Sequence, residues 1–269
     1  MMVNQPIIMG VLNITPDSFS DGGLFLDTMS AVTQAQLMVT EGAGIIDIGG
    51  ESSRPGAPEV SSDDELRRVM PVIEALYGNI DVPISIDTSK PIVMKEAFAA
   101  GASIVNDVNA LRSEGALQMA AELGADVCLM HMQGNPRTMQ ANPTYDNVVQ
   151  DVKEFFHERI AACKSVGIQL SSITIDPGFG FGKNLGHNIA LLKNLSEFHD
   201  FGVSILAGLS RKSMIGVLLG DKDVDSRLIG SVTAALIAAE NGADIIRVHD
   251  VSETKDALTV WEQIQNFRE

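Results

Sequence analysis

One short pattern returns four times along this chain and constrains its fold more than any other feature. It begins at Glu41, Ala100, Leu123 and Asn241, in the segments EGAGIIDIGG, AGASIVNDV, LGADVCLMH and NGADIIRVHD. In each segment a glycine and an alanine precede a short apolar run that ends in polar residues. A helix that stops at a glycine and is followed by a buried strand produces this pattern. The repeat therefore predicts a recurring helix-to-strand unit.

Eight apolar runs have the length of strands, and helix-like segments separate them. The runs cover residues 7–12, 45–48, 82–86, 104–108, 127–130, 173–175, 203–207 and 245–248. The composition shows no linker, so the 269 residues are interpreted as one domain over residues 1–269. Alternating strands and helices of this number predict an α/β fold, a single-domain (β/α)8 TIM barrel. A doubly wound open sheet is the alternative.

Two of the helix-like segments carry local signals. Ser62-Asp-Asp-Glu65 has the spacing of a capping box and predicts the start of a helix there. The segment 228–239 is rich in alanine, which permits close helix packing.

Charge and apolar patterning limit the classes of partner. The chain has 19 Lys and Arg against 35 Asp and Glu, a formal net charge of −16. Nucleic-acid binding needs a concentrated basic face, so we expect no nucleic-acid partner. No apolar run approaches the ~20 residues that span a membrane, and the first ten residues lack the basic region of a signal peptide. We therefore expect a cytoplasmic protein without a membrane partner, with Cys128 and Cys163 as buried thiols.

Polar residues stand at the end of every predicted strand. They are Asn13, Asp47 with Glu51, Asp87, Asn106 with Asp107, His131, Asp176, Ser210 with Arg211 and Lys212, and Arg247 with His249 and Asp250. Any one of them could be a turn residue or a helix cap. Because TIM barrels place their active sites at the C-terminal ends of the strands, we interpret the set as the rim of one pocket.

Three basic residues and one amide predict an anion site on this rim. Arg247 and His249 lie two residues apart, so they face the same side of the last strand. Arg54 follows the second strand in the segment GGESSRPG. Together with Asn13 these residues could surround a phosphate or a diphosphate, and the amide oxygen of Asn13 suits the Mg²⁺ that accompanies diphosphate. The alternative is that the two arginines balance nearby carboxylates.

The opposite side of the rim is predicted to be acidic and rich in amides, with Asp87, Asn106 and Asp176. A buried carboxylate needs hydrogen-bond donors. A flat heterocycle with adjacent N–H groups, such as a 2-aminopyrimidinone, would supply them. Lys212 could donate to a carbonyl or imine nitrogen of the same ring; a Schiff-base role is the alternative for this lysine.

The segment DPGFGFGKN, at residues 176–184, has glycines but lacks the spacing of a phosphate-binding loop. We interpret it as a flexible loop that carries Phe179 and Phe181 over the pocket.

Seven motifs in this chain resemble the dihydropteroate synthase family. They are MGVLNITPDSFSDGG, GGESSRPGA, SIDTSK, IVNDV, IDPGFGFGK, AGLSRKS and RVHD, in order from the first strand to the last. The resemblance implies a homodimeric transferase of folate biosynthesis, the target of sulfonamides. Such an enzyme condenses 6-hydroxymethyl-7,8-dihydropterin diphosphate with p-aminobenzoate, with Mg²⁺ as its ion, and releases 7,8-dihydropteroate and diphosphate.

The resemblance also implies a role for each rim residue. The pterin would contact Asp87, Asn106, Asp176 and Lys212. The diphosphate and its metal ion would contact Asn13, Arg54, Arg247 and His249. The p-aminobenzoate would be bordered by Ser53, Pro55, Phe181, Ser210 and Lys212.

The loop LNITPDSFSDGG, at residues 12–23, is predicted to act as a lid. It leaves the first strand at Asn13, and its two glycines permit a hinge. We expect closure when diphosphate and Mg²⁺ bind, with Phe19 walling in the p-aminobenzoate and Asp21 near the reacting centre. The alternative is that Phe19 packs permanently against a neighbouring loop.

The expected chemistry is an SN1-like departure of diphosphate, without a covalent enzyme intermediate. Cleavage of the C–O bond beside an electron-rich pterin leaves a stabilised cation, so water must be excluded. Two alternatives have the same pterin site: a pterin-dependent methyltransferase, and a non-catalytic pterin-binding homologue. The methyltransferase binds no diphosphate and leaves the basic residues of the rim unexplained, and the intact set of rim residues argues against the non-catalytic homologue.

Overall fold

A closed barrel of eight parallel strands, in sequence order, forms the centre of the molecule. The structure, a computed structural model, describes residues 5–14, 23–52, 54, 56–135 and 138–267, and only the backbone of 23–27. The strands are β1 (Ile7–Asn13), β2 (Ile45–Gly49), β3 (Ile84–Asp87), β4 (Ile104–Asp107), β5 (Asp126–Met130), β6 (Ile173–Asp176), β7 (Ser204–Ala207) and β8 (Ile245–Val248). Each predicted strand is present, and the TIM-barrel prediction is confirmed.

Helices connect successive strands, and the link from β7 to β8 contains two of them. The helices are α1 (Gly23–Thr40), α2 (Ser62–Leu76), α3 (Pro91–Ala99), α4 (Ala116–Leu123), α5 (Val148–Ser165), α6 (Leu185–Lys193), α7 (Ser213–Leu218), α8 (Leu228–Glu240) and α9 (Val251–Asn266). The four glycines of the repeated pattern, at positions 42, 101, 124 and 242, all have positive φ angles. These conformations turn each helix into the next strand, as the repeat predicts.

The alternation of side chains along the strands divides the buried residues into an inner and an outer set. Met9, Ile45, Cys128, Leu206 and Ile245 form an apolar cluster of their own. Their neighbours along the strands belong to a second cluster, which also contains the helix residues that pack on the barrel. Side chains two residues apart share a face. The polar groups at positions 47, 106 and 247 therefore form a layer directly above the inner apolar floor.

The predicted capping box at the start of α2 is wrong by one residue. The cap is Ser61, whose Oγ accepts the N–H of Asp64 at 3.1 Å. Glu65 is fully buried and forms an ion pair with Lys90, which also pairs with Glu51. Ser61 with Asp64 and Ser62 with Glu65 both have the spacing of a cap. Because Glu65 pairs with Lys90, the cap at Ser61 is the one that forms.

The remaining fold predictions have simple outcomes. Cys128 and Cys163 are free and buried. The alanines of α8 are buried, whereas Ile229 and Ile237 on the same helix are 77% and 39% exposed. Within the described part of the chain, no helix is both long and apolar enough to cross a membrane.

Candidate active site

Arg247 joins the basic and the acidic residues of the rim. Its Nε donates to Asp47 Oδ2 at 2.6 Å, and its Nη2 donates to Asp87 Oδ2 at 2.9 Å. The prediction that the acidic residues lie opposite the basic ones is therefore wrong for this arginine. The reason is barrel closure: β8 pairs with β1, and the inward side chains of β2, β3 and β8 converge near the axis.

Asp47 is the shared anchor of this layer. It is fully buried, and its Oδ2 also accepts a hydrogen bond from Asn106 Nδ2 at 3.0 Å. Its Oδ1 has no hydrogen-bond partner among the described residues. Sequence reasoning placed Asp47 on the rim and, as an alternative, made it a counter-charge for the arginines; the geometry adds that it orients Asn106.

Asp87, at the end of β3, has a carboxyl group whose pKa lies close to neutral pH. Burial raises its pKa to about 7, although Arg247 opposes this shift. Near neutral pH the group is available as a hydrogen-bond donor in one protonation state and as an acceptor in the other. Such a carboxyl group suits recognition of a heterocycle that has both N–H and imine nitrogen atoms.

Asp176 and Lys212 form the other part of the predicted pterin site. Asp176 ends β6, and its Oδ1 accepts the N–H of Gly178 at 2.7 Å. Burial raises the pKa of Asp176, and the charge of Lys212 opposes the increase. Lys212 Nζ donates to the carbonyl oxygen of Phe179, and burial lowers the pKa of this lysine to about 8. Below that pH the charged amine is a donor beside the carboxylate.

The two phenylalanines after β6 have different positions. Phe179 is fully buried in the outer core, so the prediction that it lies over the pocket is wrong. Phe181 is half-buried, and its ring centre lies 4.8 Å from Lys212 Nζ. It also packs against a cluster of Met130, Met132 and Met139. This cluster and Phe181 form an apolar wall beside the charged groups.

A buried lysine anchors the loop between β6 and α6, a role that sequence reasoning missed. Lys183 is 3% exposed, and its Nζ lies 2.8 Å from His131 Nδ1, 3.2 Å from His131 O and 3.0 Å from Phe181 O. Burial lowers the pKa of Lys183 well below its ordinary value. Tyr145 adds a hydrogen bond to Gly182 O at 2.7 Å. These hydrogen bonds anchor the loop, and the rim residue His131 serves as its attachment point.

His249 and Arg54 lie on the outer rim. His249 Nδ1 lies 3.1 Å from Ser210 Oγ, and burial together with Arg247 lowers the pKa of His249 to about 4. Arg54 is exposed, and its charge contributes to the same shift in pKa. Arg211 belongs to a different contact, because its guanidinium group pairs with Asp250. Of the other predicted site residues, Phe19, Asp21, Ser53 and Pro55 lie outside the described residues.

The predicted metal ligand Asn13 ends β1 beside a gap. A Cβ on Gly49 would make ordinary contacts with Asp87 Cβ at 3.5 Å and with Asn13 Oδ1 and Asp87 Oδ2 at 3.8 Å each, so the two oxygens border the same small space. The described residues contain no group of three or more His, Cys, Asp or Glu suited to a metal ion. Mg²⁺ typically uses one or two protein oxygens together with substrate phosphates. The donors around Gly49 fit that mode of binding.

A cavity of about 430 Å³ opens next to Asp87. Its wall includes Thr88, Lys90, Val108 and Met132, from the segments that follow β3, β4 and β5. Its volume falls within the range of small-molecule sites. The charged layer of the barrel thus adjoins a space large enough for a substrate.

Known proteins are similar to this chain over nearly its whole length. Residues 9–249 match the family of pterin binding enzymes. The chain is 54% identical to the dihydropteroate synthase of Escherichia coli strain K12 over 267 residues, which cover 99% of this chain and 94% of that protein. It is 55% identical to the Haemophilus influenzae dihydropteroate synthase over 264 residues, which cover 98% and 96%.

Three solved structures have the same fold. The Yersinia pestis dihydropteroate synthase with a sulfonamide drug complex gives a TM-score of 0.93 at 52% identity, covering 98% of this chain and 95% of that one. The Xanthomonas albilineans dihydropteroate synthase with 4-aminobenzoic acid gives 0.93 at 49%, with the same coverage. The latter enzyme in complex with 7,8-dihydropteroate gives 0.90 at 47%, covering 100% and 97%. The chain therefore belongs to the dihydropteroate synthase family of pterin-binding enzymes, which are transferases of folate synthesis.

Proposed function

We propose that this chain condenses 6-hydroxymethyl-7,8-dihydropterin diphosphate with p-aminobenzoate, giving 7,8-dihydropteroate and diphosphate. The observation that carries the proposal is the convergence of Arg247, Asp47, Asp87 and Asn106 in one hydrogen-bonded layer at the strand ends. Relatives solved with 4-aminobenzoic acid and with 7,8-dihydropteroate support this choice of substrate and product.

The pterin ring is held by groups that complement its edge. The carboxylate of Asp176 accepts adjacent N–H groups of the pyrimidinone, and Asn106 contributes an amide whose orientation Asp47 sets. Lys212, beside Asp176, donates to a carbonyl or imine nitrogen of the ring, and its existing hydrogen bond to Phe179 O agrees with a donor role rather than a Schiff base. Asp87 then lies close to the part of the ring where positive charge develops.

The departure of diphosphate is SN1-like, and this chain's residues stabilise both fragments. The carboxylates of Asp87 and Asp176 favour the pterin cation electrostatically. Arg247 binds two carboxylates through Nε and Nη2, and a guanidinium group has five N–H donors in all. The remaining donors of Arg247, with His249 and Arg54, receive the leaving diphosphate.

Asn13 would hold Mg²⁺ through its amide oxygen. When bound, the ion supplies positive charge that stabilises the leaving diphosphate. The p-aminobenzoate lies against Phe181, Ser210 and Lys212, where the methionine cluster excludes water from the cation. Contributions from Ser53, Pro55, Phe19 and Asp21 stay predictions from the sequence.

The active form is a homodimer joined through the late helices. Exposed apolar side chains occur on three of them: Val217 and Leu218 on α7, Ile229 and Ile237 on α8, and Val260 and Ile264 on α9. Contact with a second copy would remove this apolar surface from water. Sedimentation of the wild-type chain and of Ile229→Glu tests the dimer, with a shift of the variant to monomer as the expected result.

An assay of the purified chain with both substrates and Mg²⁺ tests the reaction. We expect release of diphosphate only when p-aminobenzoate is present, together with formation of dihydropteroate. Methyl transfer from a methyl-folate would instead identify a pterin-dependent methyltransferase. Binding of the pterin diphosphate without any product would identify a non-catalytic homologue.

A further inference from the structure

Two adjacent cross-links join the turn after β7 to the turn after β8. Ser210 Oγ lies 3.1 Å from His249 Nδ1. The next residue, Arg211, pairs with the next residue, Asp250, through both carboxylate oxygens, with Nε to Oδ2 at 3.1 Å. The side chains of two consecutive residues in one turn are therefore bonded to two consecutive residues of the other. This arrangement connects His249 to the turn that also carries Lys212.

Arg211 occupies a backbone position that glycine adopts without strain. Its φ angle is +58°, and the N–H of Lys212 donates to Leu209 O at 3.3 Å across the turn. This is the third position of a β-turn, where a positive φ favours glycine. The backbone of Arg211 is held on both sides, because its N–H donates to Ser231 Oγ at 2.9 Å and its carbonyl accepts from Arg227 Nη1 at 3.0 Å.

The hydrogen-bond partners of Ser210 favour one placement of its hydroxyl proton. The backbone N–H of His249 donates to Ser210 Oγ at 3.3 Å, which uses one lone pair of the hydroxyl. Ser210 is buried, and its hydroxyl has one proton to donate. Among the described residues, the acceptor within reach of that proton is His249 Nδ1. When the hydroxyl donates to Nδ1, this nitrogen is unprotonated and the ring proton lies on Nε2.

We propose that Ser210, supported by Arg211, is a positioning residue that holds His249 as its Nε2–H tautomer and directs this N–H toward the anion site. That the anion is diphosphate rests on the proposed function; the tautomer does not depend on it. The low pKa of His249, caused by burial and by Arg247, keeps the ring neutral at pH 7, so the position of its single proton decides what it can donate.

Proton-coupled ¹⁵N spectra of histidine-labelled protein test the tautomer directly. The chain has five histidines, and loss of a signal in His249→Gln identifies the one of interest. We expect the Nε2–H pattern in wild type and a mixture of both tautomers in Ser210→Ala. An Nδ1–H pattern in wild type, or an unchanged pattern in Ser210→Ala, would overturn the proposal.

Arg211→Gly tests whether Arg211 supports the position of Ser210, and Asp221→Gly is its matched control. Asp221 also has a positive φ of +63° but lies in an exposed turn. In Arg211→Gly we expect an unchanged melting temperature, a mixed tautomer signal and about tenfold weaker binding of inorganic diphosphate with Mg²⁺. The control should change none of these. A lower melting temperature with an intact tautomer signal would reduce Arg211 to a structural role and remove it from the proposal.

The tautomer spectra and the diphosphate binding assay separate this inference from the proposed function. If wild type binds no inorganic diphosphate, the anion assignment fails, and the tautomer spectra still decide the role of Ser210. If diphosphate binds normally in Ser210→Ala while its spectra change, the tautomer is set by Ser210 but does not serve the anion, which overturns the directing role.

Discussion

Arg247 Nη2 donates to Asp87 Oδ2 at 2.9 Å, across 160 residues of sequence. A residue assigned to the diphosphate thus contacts a residue assigned to the pterin. The pterin half-site and the diphosphate half-site share one charge network, so a substitution in one should change ligand affinity at the other.

Arg247→Ala should weaken binding of the pterin diphosphate on the order of 100-fold, because it removes a charged donor from a buried layer. Binding of a pterin without diphosphate should weaken less, because Asp87 stays in place. The variant should also lose about 3 kcal/mol of unfolding free energy, since Asp47 keeps a buried charge without its partner. Calorimetric titration and urea unfolding measure both effects. Equal losses for the two ligands would make the role of Arg247 purely structural.

Asp176→Asn should reduce pterin affinity by about 10- to 100-fold, because the charged acceptor for the ring N–H groups is lost. The new amide oxygen can still accept the N–H of Gly178, so the melting temperature should change little. Isothermal titration with the pterin measures the affinity. Asp107→Asn is the matched control, since this strand-end carboxylate accepts its hydrogen bonds from Ser89, Asn109 and Leu111, and its substitution should leave pterin affinity unchanged. Wild-type affinity in Asp176→Asn would contradict the assignment.

Asp87→Asn should gain stability relative to wild type as the pH rises. The pKa of Asp87 is about 7 in the folded chain against an ordinary value of 3.8, so between these values the folded state binds more protons than the unfolded state. The stability contributed by this group therefore falls as the pH rises from about 4 to about 7. Asparagine has no such dependence. Melting temperatures at pH 5 and pH 8 measure the difference, with the exposed Asp126→Asn as the control. A constant difference between variant and wild type would refute the shift.

Lys183→Met should lower the unfolding free energy by about 1–3 kcal/mol, because two buried carbonyl oxygens lose a donor. It should also raise the KM for p-aminobenzoate, because Phe181 is no longer held by its carbonyl. Thermal melts and steady-state kinetics measure the two effects. Lys193→Met removes an exposed lysine of α6 and should alter neither. An unchanged KM would limit Lys183 to stability.

Several site residues follow from the sequence because their positions depend on local rules. Asp87, Asn106 and Asp176 end buried strands, and the C-terminal ends of a parallel barrel meet on one face. Arg247 and His249 share a side because side chains alternate along a strand. These inferences need no knowledge of which strands are neighbours across the barrel.

Other contacts depend on closure and could not be read from local pattern. The approach of Arg247 to Asp87 requires that β8 pair with β1. Glu65 matches a helix cap in sequence, yet Lys90 from another segment binds it. Phe179 and Phe181 look equivalent between glycines, and only the path of the loop buries one of them. A lysine directly after GFGFG was the available signal for the anchor at Lys183.

The pairing of Asp47 with Arg247 also bears on the order of assembly. Asp47 belongs to the second strand made on the ribosome, and its guanidinium partner belongs to the last. Until β8 docks, a nascent barrel contains an unneutralised carboxylate where its interior is to form, a state that low polarity disfavours. We therefore expect late, all-or-none closure during synthesis. Pulling on stalled nascent chains should reveal a compaction force only after β8 has emerged, and earlier compaction would contradict this order.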